Sequence, residues 1–166
     1  MTILLNTGKV LLYFGILIII NIAVSAVSAL VQILRGLPVD VLQSNLSINT
    51  TDLSFLDWLS GIFKFLISAF FEESLYRLFL PAALLIFTQN LRIRFPKVVR
   101  FLIEAVCVVV FALGHRYMGI VAVVNALISG TALRVIYLKN KSILYGFSAH
   151  FLYNIFILVL MIVLKN

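Results

Sequence analysis

The sequence predicts an all-α fold, a polytopic transmembrane bundle of about five helices, and three observations predict it. First, 63% of the residues are hydrophobic and only 11% charged, with a mean hydropathy of +1.17, whereas soluble domains run at roughly 45–50% apolar and about 25% charged. Second, the apolar residues gather into runs near the roughly 20 residues that a helix needs to cross a bilayer. Third, most Lys and Arg fall between those runs. At 166 residues the chain admits at most about six spans and one compact bundle.

The first run, residues 10–34, is long enough to span with some tilt and is read as helix 1. A cleaved signal peptide is the rival reading, since Lys9 precedes the run and Ala23-Val24-Ser25-Ala26 offers small residues. The apolar run continues unbroken past that point, which favours a span. Residues 35–60, with Gly36, Pro38, Asp40, Asp52 and Asp57 among Ser, Thr and Asn, read as an extramembrane loop. The chain therefore divides into an N-terminal helix and loop, 1–61, and a core, 62–166. Helix 2 is expected over 62–87, followed by a basic loop over 88–100. Helix 3 is expected over 98–115, helix 4 over 120–138 and helix 5 over 142–164, with short turns between.

The net charge of +7 does not point to nucleic acid, because the basic residues flank apolar spans and no soluble domain presents them. Their placement bears instead on orientation. With a cytoplasmic N-terminus, Arg92, Arg94, Lys97, Arg100, Lys139 and Lys141 all fall on the cytoplasmic side, as the positive-inside rule requires. The first-loop aspartates and the C-terminus then lie outside. Cys107, the single cysteine, sits in an apolar run with no disulfide partner and reads as a packing residue.

Ionised groups at mid-bilayer cost about 2.5–3.5 kcal/mol on insertion scales, so they face a bundle interior or cavity. Helix 2 carries Glu72, Glu73 and Arg77. Glu73 and Arg77 are spaced i, i+4 and can pair, while Glu72 is rotated by about 100° and stays free. His115 closes helix 3, and His150 and Asn154 share a face of helix 5. The bland alternatives are a polar knot fixing helix register and an interfacial histidine. Against them, peptide hydrolysis needs a base for water and donors for an oxyanion, and carboxylate, imidazole and carboxamide supply these.

These residues resemble the CAAX-protease and bacteriocin-processing (CPBP, or Abi) intramembrane proteases. Glu-Glu-x-x-x-Arg stands as Glu72-Glu73-Ser74-Leu75-Tyr76-Arg77, Phe-x-x-x-His as Phe111 to His115, and His-x-x-x-Asn as His150 to Asn154, in that order. The resemblance implies a core like that of CAAX prenyl endopeptidases, with residues 62–166 as the protease unit. It implies that Glu72 with His115 activates water, that His150 and Asn154 stabilise the oxyanion, that Glu73 and Arg77 support the site, and that Phe111 packs beside it. Only one span precedes the first motif, which puts a gating role for further N-terminal helices in doubt.

Glu72, His115 and His150 would be the ligands of a single divalent ion such as zinc. No His-Glu-x-x-His spacing is present, and a metal-free site is favoured. The expected function is an intramembrane endopeptidase acting on a lipidated, leader-bearing or membrane-anchored peptide, in a bilayer expected to be a bacterial plasma membrane. The competing readings are a bacteriocin-immunity or scaffold protein that needs no catalysis, and a proton or ion pathway. The partners expected are a peptide or membrane-protein substrate and lipid, without nucleic acid.

Overall fold

A computed structural model describes residues 6–37, 54–89 and 96–165, and no strand occurs among the described residues. Helix α1 (Thr7–Leu34) opens on Asn6, whose side-chain oxygen accepts the Lys9 N–H at 3.2 Å. Helix α2 (Phe55–Ser74) begins ahead of the expected 62 because Ser54 and Asp57 form a capping box. The Ser54 hydroxyl accepts the Asp57 N–H, and the Asp57 carboxylate accepts the Ser54 N–H at 3.0 Å. Two of the helix's free N–H groups are satisfied in this way. Asp57, expected in the loop, thus belongs to the first turn of α2, while Asp40 and Asp52 lie outside the described residues.

The helix continues through a π-helical turn, Leu75–Phe79, into α3 (Leu80–Gln89). Pro81 supplies the reason for the wide turn. It has no N–H to donate to the carbonyl of Arg77 four residues earlier, and its ring crowds that carbonyl. Widening relieves both, and the Leu80 N–H reaches back to the Leu75 carbonyl instead.

Helix α4 (Pro96–Gly114) has proline in its first turn, where a missing N–H costs nothing. Of the expected basic loop, residues 88–89 belong to α3 and 96–100 to α4, while 90–95, with Arg92 and Arg94, lie outside the described residues. A single 3₁₀ turn, Arg116–Met118, leads to α5 (Ile120–Asn140), and a tight turn through Lys141 leads to α6 (Ile143–Lys165).

With α2 and α3 counted as one interrupted rod, the described residues form five helical rods, as expected. α2 packs on α6, α6 on α5, α5 on α4 and α4 on α3, closing a ring, and α1 lies against α5 and α6. Leu17, Leu133, Ile136 and Ala149 fill the seam between α1, α5 and α6, while Phe111, Ala112 and Ala126 fill that between α4 and α5. Three helices, α1, α5 and α6, are long and apolar enough to cross a membrane. The rods α2–α3 and α4 carry Glu72, Glu73, Arg77 and Glu104, and their outer faces remain apolar, with Phe63, Ile67, Phe71 and Phe101 exposed.

Candidate functional site

The π-turn and the preceding turn of α2 set the first side chains. Glu73 is completely buried and Arg77 nearly so, at 0% and 1% exposed. Arg77 Nε lies 3.4 Å from Glu73 Oε2 and Nη2 3.5 Å from Oε1, a long but two-pronged ion pair within one helical face. The guanidinium also lies over the Phe111 ring of α4, at 4.8 Å from its centroid. Glu72 faces a different direction, as its 100° rotation requires. Its Oε1 accepts the Ser68 hydroxyl at 2.7 Å, one turn earlier, and its Oε2 is buried without a hydrogen-bond partner among the described residues.

Both histidines converge on that oxygen. His115 Nε2 and His150 Nε2 each stand 4.0 Å from Glu72 Oε2. Their other nitrogens are anchored. His115 Nδ1 lies 3.0 Å from the Phe111 carbonyl, which can only accept, so Nδ1 carries the proton. His150 Nδ1 lies 3.3 Å from Glu73 Oε1 and donates to it. Each imidazole thereby carries a proton on Nδ1 and directs Nε2 at Glu72. Phe111 sits among them, 5.0 Å from the His115 ring and 6.2 Å from the His150 ring.

Two glycines permit these approaches. A Cβ on Gly146 would lie 2.7 Å from Glu73 Oε2, and one on Gly130 would lie 2.7 Å from Phe111 Cδ1. Glu73 can therefore reach the backbone of α6 and Phe111 that of α5.

Six of the seven residues singled out in the sequence, Glu72, Glu73, Arg77, Phe111, His115 and His150, thus form one contiguous group. Asn154 lies one turn beyond His150 on the same face of α6, half-buried, and makes no side-chain hydrogen bond among the described residues. Sequence reasoning missed Ser68, Glu104 and Arg134. Arg134 of α5 forms a two-pronged ion pair with Glu104 of α4 and donates from Nη1 to the Arg77 carbonyl at 2.7 Å. For Glu104 and Arg134 the signal was available, since each is a lone charge within an apolar run.

Tetrahedral zinc, with bonds of about 2.0–2.1 Å, holds its ligand atoms about 3.3–3.4 Å apart. The 4.0 Å separations exceed this, and no group of three or more His, Cys, Asp and Glu among the described residues forms a ligand set. The donors as placed do not fit zinc. A water fits better, because two hydrogen bonds of about 2.8 Å meeting at about 90° span 4.0 Å.

Residues 54–156 match the family Type II CAAX prenyl endopeptidase Rce1-like. The chain belongs to that family, which places it among the CAAX-type intramembrane proteases. No curated protein and no solved structure matches it. The family match begins at the Ser54 cap of α2 and includes every residue of the group just described.

Proposed function

We propose that the protein is a multi-pass intramembrane endopeptidase that hydrolyses a lipidated, leader-bearing or membrane-anchored peptide with a water activated by Glu72, without a metal. The observation that carries this reading is the placement of one buried, unpartnered carboxylate oxygen at equal distance from two imidazole nitrogens whose far sides are both anchored.

The proposed reaction uses His150 with its Nδ1–H held by Glu73 and its Nε2 carrying the proton that is donated. Glu72 takes a proton from water held against it and His115, and the water oxygen bonds to the scissile carbonyl carbon. The resulting oxyanion is met by the His150 Nε2–H and by the carboxamide N–H of Asn154. Collapse breaks the C–N bond, and the proton held by Glu72 passes to the departing amine. Glu73 and Arg77 keep His150 and the π-turn in place, and Phe111 closes the apolar side, which strengthens each electrostatic contact by excluding water.

The N-terminus is placed in the cytoplasm on the strength of the basic residues between the spans. A comparison of peptide N- and C-termini in membranes and medium, from cells carrying wild type or Glu72→Gln at matched expression, tests the reading. New termini that need Glu72 support it. Coincident profiles with the cellular phenotype intact would sink it in favour of immunity or scaffolding.

A further inference from the structure

We infer that Arg134 is a positioning residue for the site, one that holds the π-turn just after Glu72 and Glu73 in register with α4, which ends just before His115, through its ion pair with Glu104. The inference rests on the protease reading for its effect on catalysis, although its geometry stands apart from it. Pro81 withholds the N–H that would otherwise bond the Arg77 carbonyl. Arg134 Nη1, from α5, takes that carbonyl at 2.7 Å. The same guanidinium binds the Glu104 carboxylate of α4 through Nη2 and Nε, and it lies over the Tyr137 ring at 5.0 Å from the centroid. Arg134 is only 7% exposed.

One side chain therefore joins three elements, α5, the π-turn and α4. At one end the link continues from the Arg77 backbone through its guanidinium to Glu73 and so to His150 Nδ1. At the other it runs along α4 from Glu104 to Phe111, whose carbonyl holds His115 Nδ1. Helix α5 supplies no group to the reaction, yet Arg134 ties the π-turn that follows Glu72 to α4, which leads to His115. Guanidinium suits this task because its planar fork serves a carboxylate and a carbonyl together, which an ammonium cannot do with the same geometry.

The chain's two histidines are His115 and His150, so ¹⁵N-histidine labelling of the full-length protein in micelles reports this site alone. Arg134 touches neither ring. The double variant Arg134→Met with Glu104→Leu removes the buried pair without stranding a charge, which is the form of substitution that buried ion pairs tolerate. It is expected to unfold near the wild-type temperature while both imidazoles lose their Nδ1–H signature. Cleavage of a farnesylated peptide ending in a CAAX sequence should then fall on the order of 10²-fold, in kcat more than KM.

Arg134→Lys keeps the charge and serves as the second variant should the first not fold, with the same loss of imidazole signature expected to a smaller degree. Wild-type imidazole spectra in a folded variant of either kind would overturn the inference. Failure of wild type itself to cleave in a Glu72-dependent manner would instead overturn the protease reading, and it leaves the imidazole result to decide the positioning role.

Discussion

Glu72 and Glu73 are neighbours in sequence with opposite circumstances. Glu73 is sealed between Arg77, His150 and the backbone at Gly146, whereas Glu72 keeps one oxygen without a partner and is a fifth exposed. Their substitutions should separate accordingly. Glu73→Gln leaves Arg77 buried without its counter-charge and is expected to cost about 3–5 kcal/mol, read as lowered thermal unfolding in detergent. Glu72→Gln should leave that transition within a few tenths of a kcal/mol and abolish cleavage. Equal losses of stability would contradict the assignment. Ser68→Ala removes the donor that fixes the Glu72 carboxylate, a bond to a charged group worth about 1.5–3 kcal/mol. Turnover should fall on the order of 10-fold with the protein still folded, and unchanged turnover would show that Ser68 does not orient the base. At this scale the spacing rules were informative: i, i+4 paired Glu73 with Arg77, and the 100° step set Glu72 apart. Spacing was silent on Asn154, which shares a face with His150 but has no side-chain hydrogen bond among the described residues, because a shared face is not a contact.

The helices were legible as apolar runs, and their ends were less so. The start of α2 was hidden because Ser54 and Asp57 look like loop residues until their reciprocal capping is recognised. The π-turn had a signal as well, in Pro81 four residues after Arg77, but periodicity gives no measure of a turn widened by one residue. Glu104 and Arg134 are separated by 30 residues, and only the packing of α4 on α5 reveals that they meet. The close approaches between elements yield a further expectation. Gly146→Ala places a methyl group within 2.7 Å of Glu73 Oε2, and overpacking of this kind costs about 1–3 kcal/mol. Gly15, with nothing within 4 Å of its would-be Cβ, is the control: Gly15→Ala should be neutral or slightly stabilising in thermal unfolding. Similar responses at the two positions would refute the close approach of Glu73 to α6.

For the whole molecule, composition alone indicated a membrane bundle, and four of the five rods close into a ring, with α1 against α5 and α6 and the polar group between α2, α4 and α6. The proposed orientation rests on the charges between the apolar runs. A single cysteine placed within 90–95, in a Cys107→Ala background, should be shielded from an impermeant maleimide in intact cells and react after lysis; labelling from outside would reverse the orientation. The substitution at Cys107 removes a buried thiol, so background reaction is small. The central claim, that Glu72 activates water without a metal, is tested most directly by hydrolysis in H₂¹⁸O. Purified full-length protein, treated with chelator, is incubated with a farnesylated CAAX-ending peptide, and the product masses are read. The account predicts one ¹⁸O in the new C-terminal carboxylate, formed by wild type after chelation and not by Glu72→Gln. Cleavage that persists in Glu72→Gln, or that stops on chelation and returns only with added zinc, would contradict it.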